Sequence, residues 1–488
     1  MRKYIRDQVI ELLPTVLEGI AYAKNAQSQQ AKAVLSDCYA AVVSISEGLE
    51  AGLSEIRFHF YSNLLNKILD ILEEINENIQ TSNSVEELTS KAEELFGLLE
   101  KHLLDESEVK IEVVFMPYKA SMWDCFESIW QAAKNDERCE VTVVPIPYYD
   151  RNPDLSLGEY HYEKNDYPQY VPIVDYQEYD VSARRPDVIY IHNPYDQYNR
   201  VTTVHPHFYS YNLKQFTDML IYVPYFISGA YVNTDAFADK HLTSCVKSVD
   251  KIIVQSETHK KLYIESGVEE QKLLALGSPK IDAIVNLELD STSIPEEWSR
   301  KLENKKAIIL NSSIGPLLND PNYLTKLKMR ISEILAFEGL ALIWRPHPLL
   351  ATTITSMRPT WQDEYKEILQ LVENSSNGIL DLSSSTIPAT VVSAGMISDL
   401  SSWARQYIAT GKPVLLLNGK SEMKKDRTCV FDHFSCYFIY DGFSIEEFCQ
   451  MILNGTDVKK EARMRDLVNS GINIDGTCGQ KIHNSIVS

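Results

Sequence analysis

The sequence predicts an α/β protein with two Rossmann-like domains facing a cleft, preceded by a helical or coiled-coil region. The segments are residues 1–105, helical; 106–290, the N-terminal Rossmann-like domain; and 305–488, the C-terminal one. Three observations carry this. Apolar residues repeat every three or four positions before residue 105, then give way at Lys110 to short β-branched runs alternating with amphipathic stretches. The alternation restarts at Ala307, after the polar, acidic stretch Asn286–Asn304 with Pro295. Val391–Leu417 reads as one strand, loop, helix, strand step.

At 488 residues the chain can hold two or three domains with sizeable cores. A formal charge of −21 argues against a nucleic-acid binder and against adhesion to anionic lipid through bulk charge. Basic clusters at Lys305/Lys306, Lys326/Lys328/Arg330 and Lys424/Lys425 read as solvated faces. The opening MRKYIRDQVIELLP carries charges throughout, so no signal peptide is expected, and the longest apolar run, around Met219–Ile227, is short of a membrane span. Eight cysteines without a C-x-x-C spacing point to a reduced, cytoplasmic protein with neither a zinc nor a disulfide framework.

Within residues 1–105, Leu65, Ile68, Leu72, Ile75 and Ile79 form one stripe. Ser84-Val-Glu-Glu87 is a capping box opening a second helix through Leu88, Ala92, Leu95 and Leu99. Two long antiparallel helices, or a short coiled coil, are expected, and the stripe suits packing or homo-oligomer formation.

Lys110–Phe115 reads as a strand, Ser121–Lys134 as an amphipathic helix and Val141–Val144 as a second strand. Met116-Pro-Tyr-Lys119 stands where a dinucleotide fold has G-x-G-x-x-G, which argues against a nicotinamide or flavin cofactor, and none is expected. Between Pro145 and Asp180 the chain is rich in Tyr, Pro and Asp with little periodicity, an excursion suited to lining an acceptor site. The strand Asp187–Ile191 leads into His192, and the loop beyond holds Thr202, Thr203, His205 and His207. Strands at Met219–Phe226, Lys251–Gln255 and Leu273–Leu276 follow, then Gly277-Ser278-Pro279, with Ser278 as cap and Pro279 at the first helical position.

In the second domain, Ala307–Leu310 is a strand followed by the small, polar loop Asn311–Pro316, where Ser312 and Gly315 let backbone N–H groups approach a ligand. After the helix Asn322–Phe337, the strand Leu340–Trp344 ends in Arg345-Pro-His347-Pro, a permanent cation and a titratable donor at a strand end, where open α/β sheets bind ligands. Ile379–Leu380 reads as another strand. Val391 and Val392 lead to a turn at Gly395, and Ser398, Asp399, Ser401 and Ser402 precede the helix Trp403–Thr410. These hydroxyls suit a phosphate, and they equally suit plain helix capping. Gly411 and Pro413 end the helix before the strand Val414–Leu417. Ser444–Leu453 and a final segment from Asp475 read as helices. There is no Walker loop, G-x-S-x-G, H-E-x-x-H or D-x-D pair, so no metal is expected and positive groups would have to stabilise a bound phosphate.

Arg345-Pro-His347-Pro, Ser398-Asp-Leu-Ser-Ser402, Gly411-Lys-Pro413, Val249–Ser256 and Leu276–Asp282 together resemble the CDP-glycerol glycerophosphotransferase family of teichoic acid synthesis, over roughly residues 245–420. The family has Tyr where Leu400 stands. The resemblance implies a GT-B fold, with Gly277–Pro279 facing the interdomain cleft and the last helix crossing back to the first domain. It also implies transfer of glycerol phosphate, or another alditol phosphate, from a CDP-linked donor to a polyol-phosphate or glycan acceptor, peripherally at the inner face of the membrane. His347 would hydrogen-bond or protonate the phosphate oxygens, Arg345 would hold their charge, and Asp399 would orient the serine loop. Polymerising members carry Trp-His-Gly-Thr-Pro-Leu-Lys after a strand, with that His as general base; here the matching strand, Met219–Phe226, ends without one. His192 and His205 are the available replacements, and a structural role suits either as well. A nucleotide-sugar glycosyltransferase or epimerase on the same fold, and a non-catalytic assembly protein using the N-terminal helices, are the rival readings.

Overall fold

A computed structural model describes residues 1–78, 82–152, 154–229, 234–286, 294–383, 385–418, 436–470 and 472–487. Ile79, Lys424, Lys425, the side chain of Ser84 and linker residues 287–293 lie outside them.

The N-terminal region holds four helices, where two were expected: α1 (Lys3–Asn25), α2 (Ser28–Gly52), α3 (Glu55–Asn78) and α4 (Ser82–Leu104). Each packs on the next and α4 returns to α1, closing a bundle. The stripe from Leu65 to Ile75 and the α4 residues Ala92 and Leu99 are buried in one core with Leu13, Ile20, Leu35 and Val42. Their apolar faces are therefore covered within a single chain. The bundle is tied to the next domain where Arg2 pairs with Glu112 at 2.9 Å.

The N-terminal domain contains β1 (Ile111–Met116), β2 (Cys139–Val143), β3 (Tyr148–Arg151), β4 (Leu157–His161), β5 (Val188–Ile191), β6 (Thr202–Val204), β7 (Met219–Tyr222), β8 (Lys251–Val254) and β9 (Leu273–Ala275). Six form a parallel sheet in the order β2-β1-β5-β7-β8-β9, while β4-β3-β6 is a small antiparallel sheet. The excursion after residue 145 is thus partly ordered as strands. The helix expected over 121–134 is split into a 3₁₀ turn, Ala120–Cys125, and α5 (Glu127–Lys134).

The C-terminal domain contains β10 (Lys306–Ser312), β11 (Leu340–Pro346), β12 (Gly378–Leu380), β13 (Ser393–Ser398), β14 (Val414–Leu416) and β15 (Phe438–Ile439), parallel in the order β12-β11-β10-β13-β14-β15. β11 is buried along its whole length, as expected for a strand covered on both faces. Two parallel six-stranded sheets in one chain give the GT-B-like architecture expected. Val391 and Val392 belong to the helix Ile387–Val392, and Gly395 lies within β13, just past a register shift at Ala394. That glycine makes no turn: a Cβ there would meet Ile452 Cδ1 at 2.7 Å and Phe448 Cζ at 3.1 Å, so it lets the helix Ile445–Asn454 lie close on the sheet.

The last helix, Cys478–Val487, packs on α5, and Cys478 and Ile482 join the core of the first domain. Asp282 accepts from the N–H groups of Cys478 (3.2 Å) and Gly479 (2.7 Å), and Asn286 Nδ2 donates to Gly476 O at 2.8 Å. Gly277 has φ +96°, and a Cβ there would collide with the carbonyl of Ile472. Gly277→Ala is therefore expected to lose about 2 kcal/mol or more in a denaturant titration, because a left-handed backbone and a clash with main chain both oppose it. Among the described residues no helix is long and apolar enough to cross a membrane.

Candidate functional site

Register places Asn311, at the end of β10, directly between Arg345 on β11 and Ser398 on β13. Asn311 Nδ2 donates to Ser398 Oγ (2.8 Å) and Ser401 Oγ (3.3 Å), and Ser398 Oγ donates to the carbonyl of Asp399 at 2.6 Å. Asn311 thus ties the serine loop to the sheet edge, a role that its place in a small polar loop suggested only in general terms. Ser401 caps the helix Ser402–Tyr407 by accepting from Ala404 N at 3.1 Å. Ser402 Oγ accepts from Ile227 N across the cleft at 2.8 Å, so the two domains touch at this loop.

Asp399 is buried and accepts from Ser313 Oγ at 2.5 Å; burial pushes its carboxyl above the ordinary range, against that hydrogen bond and the cation Arg330. Ser312 is turned inward, accepting from Trp344 Nε1 at 2.9 Å. Gly315 lies in the short helix Ile314–Asn319 with open space where a Cβ would stand.

His347 follows β11, its backbone N–H donating to Ser312 O at 3.0 Å. Its Nδ1 accepts from Leu349 N at 3.2 Å, which assigns the ring proton to Nε2. Burial lowers its pKa, so at neutral pH the ring is an uncharged Nε2–H donor.

Arg345 is placed differently from the expectation of a free phosphate clamp. Its guanidinium pairs with buried Asp381 at 2.5 Å, donates to Ser383 O (2.7 Å) and Ser385 O (3.1 Å), and lies 5.6 Å from the Trp403 ring. It holds the loop after β12. Lys412, of the Gly-Lys-Pro segment, donates to the carbonyls of Thr390 and Val391, and burial lowers its pKa to about 8.

His192 does not stand on an open loop. It is wholly buried, Nε2 accepts from Tyr118 N at 3.0 Å, Nδ1 lies 3.3 Å from Cys125 Sγ, and burial lowers its pKa to about 3. That position bars it from an acceptor hydroxyl. His205 caps the turn Pro206–Phe208 through Nδ1, accepting from His207 N at 3.2 Å, with Tyr149 and Phe208 beside its ring.

Sequence reasoning missed a histidine pair in this domain. After β7, Ser228 Oγ lies 3.0 Å from His241 Nε2, and after β8, Ser256 Oγ lies 2.8 Å from His259 Nδ1. With Gly277, Ser278 and Pro279, the residues Ser228, His241 and His259 line a cavity of about 20 Å³, room for about one water. Pro279 opens the helix Pro279–Val285, while Ser278 makes no cap bond. Ser228 is one residue from the cross-domain contact at Ile227. His241 and His259 sit on separate helices with no motif spacing, so nothing in the sequence joins them.

No protein-family model and no curated protein matches the chain. Solved structures similar to it include the wall teichoic acid polymerase TagF (14% identity, TM-score 0.46, covering 87% of this chain and 97% of that one). They also include the UDP-GlcNAc 2-epimerase of Neisseria meningitidis bound to UDP-GlcNAc (11%, 0.48, 78% and 99%) and S. aureus MnaA with UDP (13%, 0.45, 77% and 96%). At TM-scores below 0.5 these likenesses carry no argument about function, and the GT-B-like architecture rests on the strand order of the two sheets.

Proposed function

We propose that the chain is a transferase that moves glycerol phosphate, or another alditol phosphate, from a CDP-linked donor to an acceptor hydroxyl. The observation that carries this reading is the Nε2–H of His347 just past the C-terminal end of β11, the strand paired with β10, whose Asn311 holds the serine loop. An acceptor oxygen attacks the donor's β-phosphorus and CMP leaves. His347 donates to a phosphate oxygen as charge develops on it. Arg345 is a positioning residue, acting through the loop after β12. Asp399, held by Ser313, fixes the serine loop and is kept off the phosphate by charge.

The test is nucleotide release from CDP-glycerol, CDP-ribitol and a panel of UDP- and CMP-sugars. Release from the CDP-alditols supports the proposal; release from UDP-sugars alone replaces it with the glycosyltransferase or epimerase reading, and no turnover of any donor favours an assembly protein. Ser401→Ala with Ser402→Ala is expected to weaken CDP at least roughly tenfold in calorimetric titration, and CMP much less, because each lost hydrogen bond to a charged oxygen is worth on the order of 1.5–3 kcal/mol. Unchanged CDP affinity with a lower melting temperature would leave the serines as caps.

A further inference from the structure

We propose that Asp150, Glu159 and His161, on the small antiparallel sheet of the N-terminal domain, hold a divalent transition-metal ion of the Zn²⁺ class; the site is independent of the transferase reading. β3 and β4 place Tyr148 opposite His161 and Tyr149 opposite Tyr160, and the register then shifts before Arg151 meets Leu157, so β4 carries one residue more than β3 at this point. Side chains two apart on a strand share a face. Glu159 therefore stands with His161 on β4, and Asp150 stands on β3 with Tyr148, the partner of His161. One oxygen from each acid and one imidazole nitrogen come within 4.8 Å of one another.

The donor set decides which ion fits. One nitrogen and two carboxylate oxygens suit Zn²⁺ and its first-row neighbours, whereas Mg²⁺ and Ca²⁺ take oxygen. Asp150 Oδ2 lies 3.0 Å from His161 Nε2. Two atoms bound to one tetrahedral zinc at about 2.0–2.1 Å stand roughly 3.3 Å apart, so this pair brackets an ion with little movement. Glu159 is exposed and closes the set by a change of rotamer. The imidazole is already oriented, stacked on Tyr148 with ring centroids 4.9 Å apart, and the Tyr148 hydroxyl donates to Glu163 at 2.6 Å.

Charge points the same way. Among the described residues no lysine or arginine pairs with Asp150 or Glu159, and Lys119 lies 4.6 Å from the Tyr148 ring centroid instead. Two carboxylates facing one imidazole leave negative charge in excess, which favours a cation. The other mixed group among the described residues, Asp136, Cys139 and His483, lacks this capacity, because Arg138 already donates to both Asp136 oxygens at 3.0 and 2.8 Å. Bound at Asp150, Glu159 and His161, the ion joins the edge strand β4 to β3, and three protein ligands leave a position open to water. Asp150 and His161 are 11 positions apart and meet only through the strand register, so no metal motif marks them in the sequence.

The test is calorimetric titration of the full chain, freed of metal by a chelator, with ZnCl₂, and visible absorption on titration with CoCl₂. One saturable site with a cobalt d–d spectrum is expected, and Mg²⁺ in excess should not displace the ion. His161→Ala and Glu159→Gln should each weaken Zn²⁺ at least about tenfold, the scale found even for outer-shell partners of a metal, with the metal-free chain still folded in a melting curve. Cys139→Ser should leave the affinity as it was. Zn²⁺ should raise the melting temperature of the wild type and not that of His161→Ala. No saturable uptake at millimolar Zn²⁺, unchanged affinity in either ligand variant, or loss of the site in Cys139→Ser would each overturn the proposal.

Discussion

Replacing His347 by alanine is expected to slow transfer by about a hundredfold or more with the melting curve unchanged, the loss typical of removing one preorganised donor to a developing charge. The imidazole is half-buried after the end of a strand, and among the described residues its one hydrogen bond is from Leu349 N, so its loss leaves the core intact. His347→Gln should recover part of the rate, since an amide can donate from nearly the same place. The pH profile gives a second readout. Burial holds the ring pKa below its ordinary value, and protonation would put a proton on Nδ1 against the N–H of Leu349. The rate should therefore be flat through neutral pH and fall only as the pH drops through that lowered pKa. A single-turnover rate within a few-fold of wild type for His347→Ala would remove this residue from the mechanism.

The largest effect on stability is expected at Asp381. Its carboxylate is inaccessible, and the Arg345 side chain facing it is only 10% exposed. Asp381→Ala leaves a guanidinium buried without its counter-ion, which costs about 3–5 kcal/mol. Asp381→Asn should cost less, since an amide oxygen can still accept from Ser383 N and Ser383 Oγ, which now bond Oδ1. Arg345→Lys should also lower the melting temperature, because a point charge cannot reach Asp381 and the carbonyls of Ser383 and Ser385 together. The same variants decide between anchoring and clamping. If Arg345 binds the donor directly, freeing it with Asp381→Ala should tighten CDP; if it anchors the loop, CDP affinity should fall with stability.

The two parallel sheets were legible because their strands are buried on both faces and read as short, nearly unbroken apolar runs between turn residues. The bundle was half legible. α3 and the second half of α4 carry a clear leucine and isoleucine stripe, whereas α1 has a proline at residue 14 and α2 spaces its core with Ala31 and Cys38, so their period is faint. Gly395 shows how one residue type serves opposite ends, since a glycine that suggests a turn instead seats Phe448 and Ile452 against the sheet. At the site, His347 and the serine loop were visible as local motifs. Asp381, which decides what Arg345 does, lies 36 residues from it, and Asn311 joins serines 87 and 90 residues away; pairings at that range leave no local spacing.

The return of the last helix to the first domain limits how the cleft can open. The chain passes between domains twice, and the two passages are fastened side by side: Asn286 holds Gly476, and Gly277 lies against Ile472. One strand between two bodies permits twist, slide and swing alike. Two adjacent strands, with the second anchored on α5 through Asp282, act as paired pins on one edge of a door, and leave rotation about a single line as the soft motion. Asn311, Ser401 and His347 would then travel on a fixed arc relative to the first domain, so closure returns them to the same alignment on every cycle.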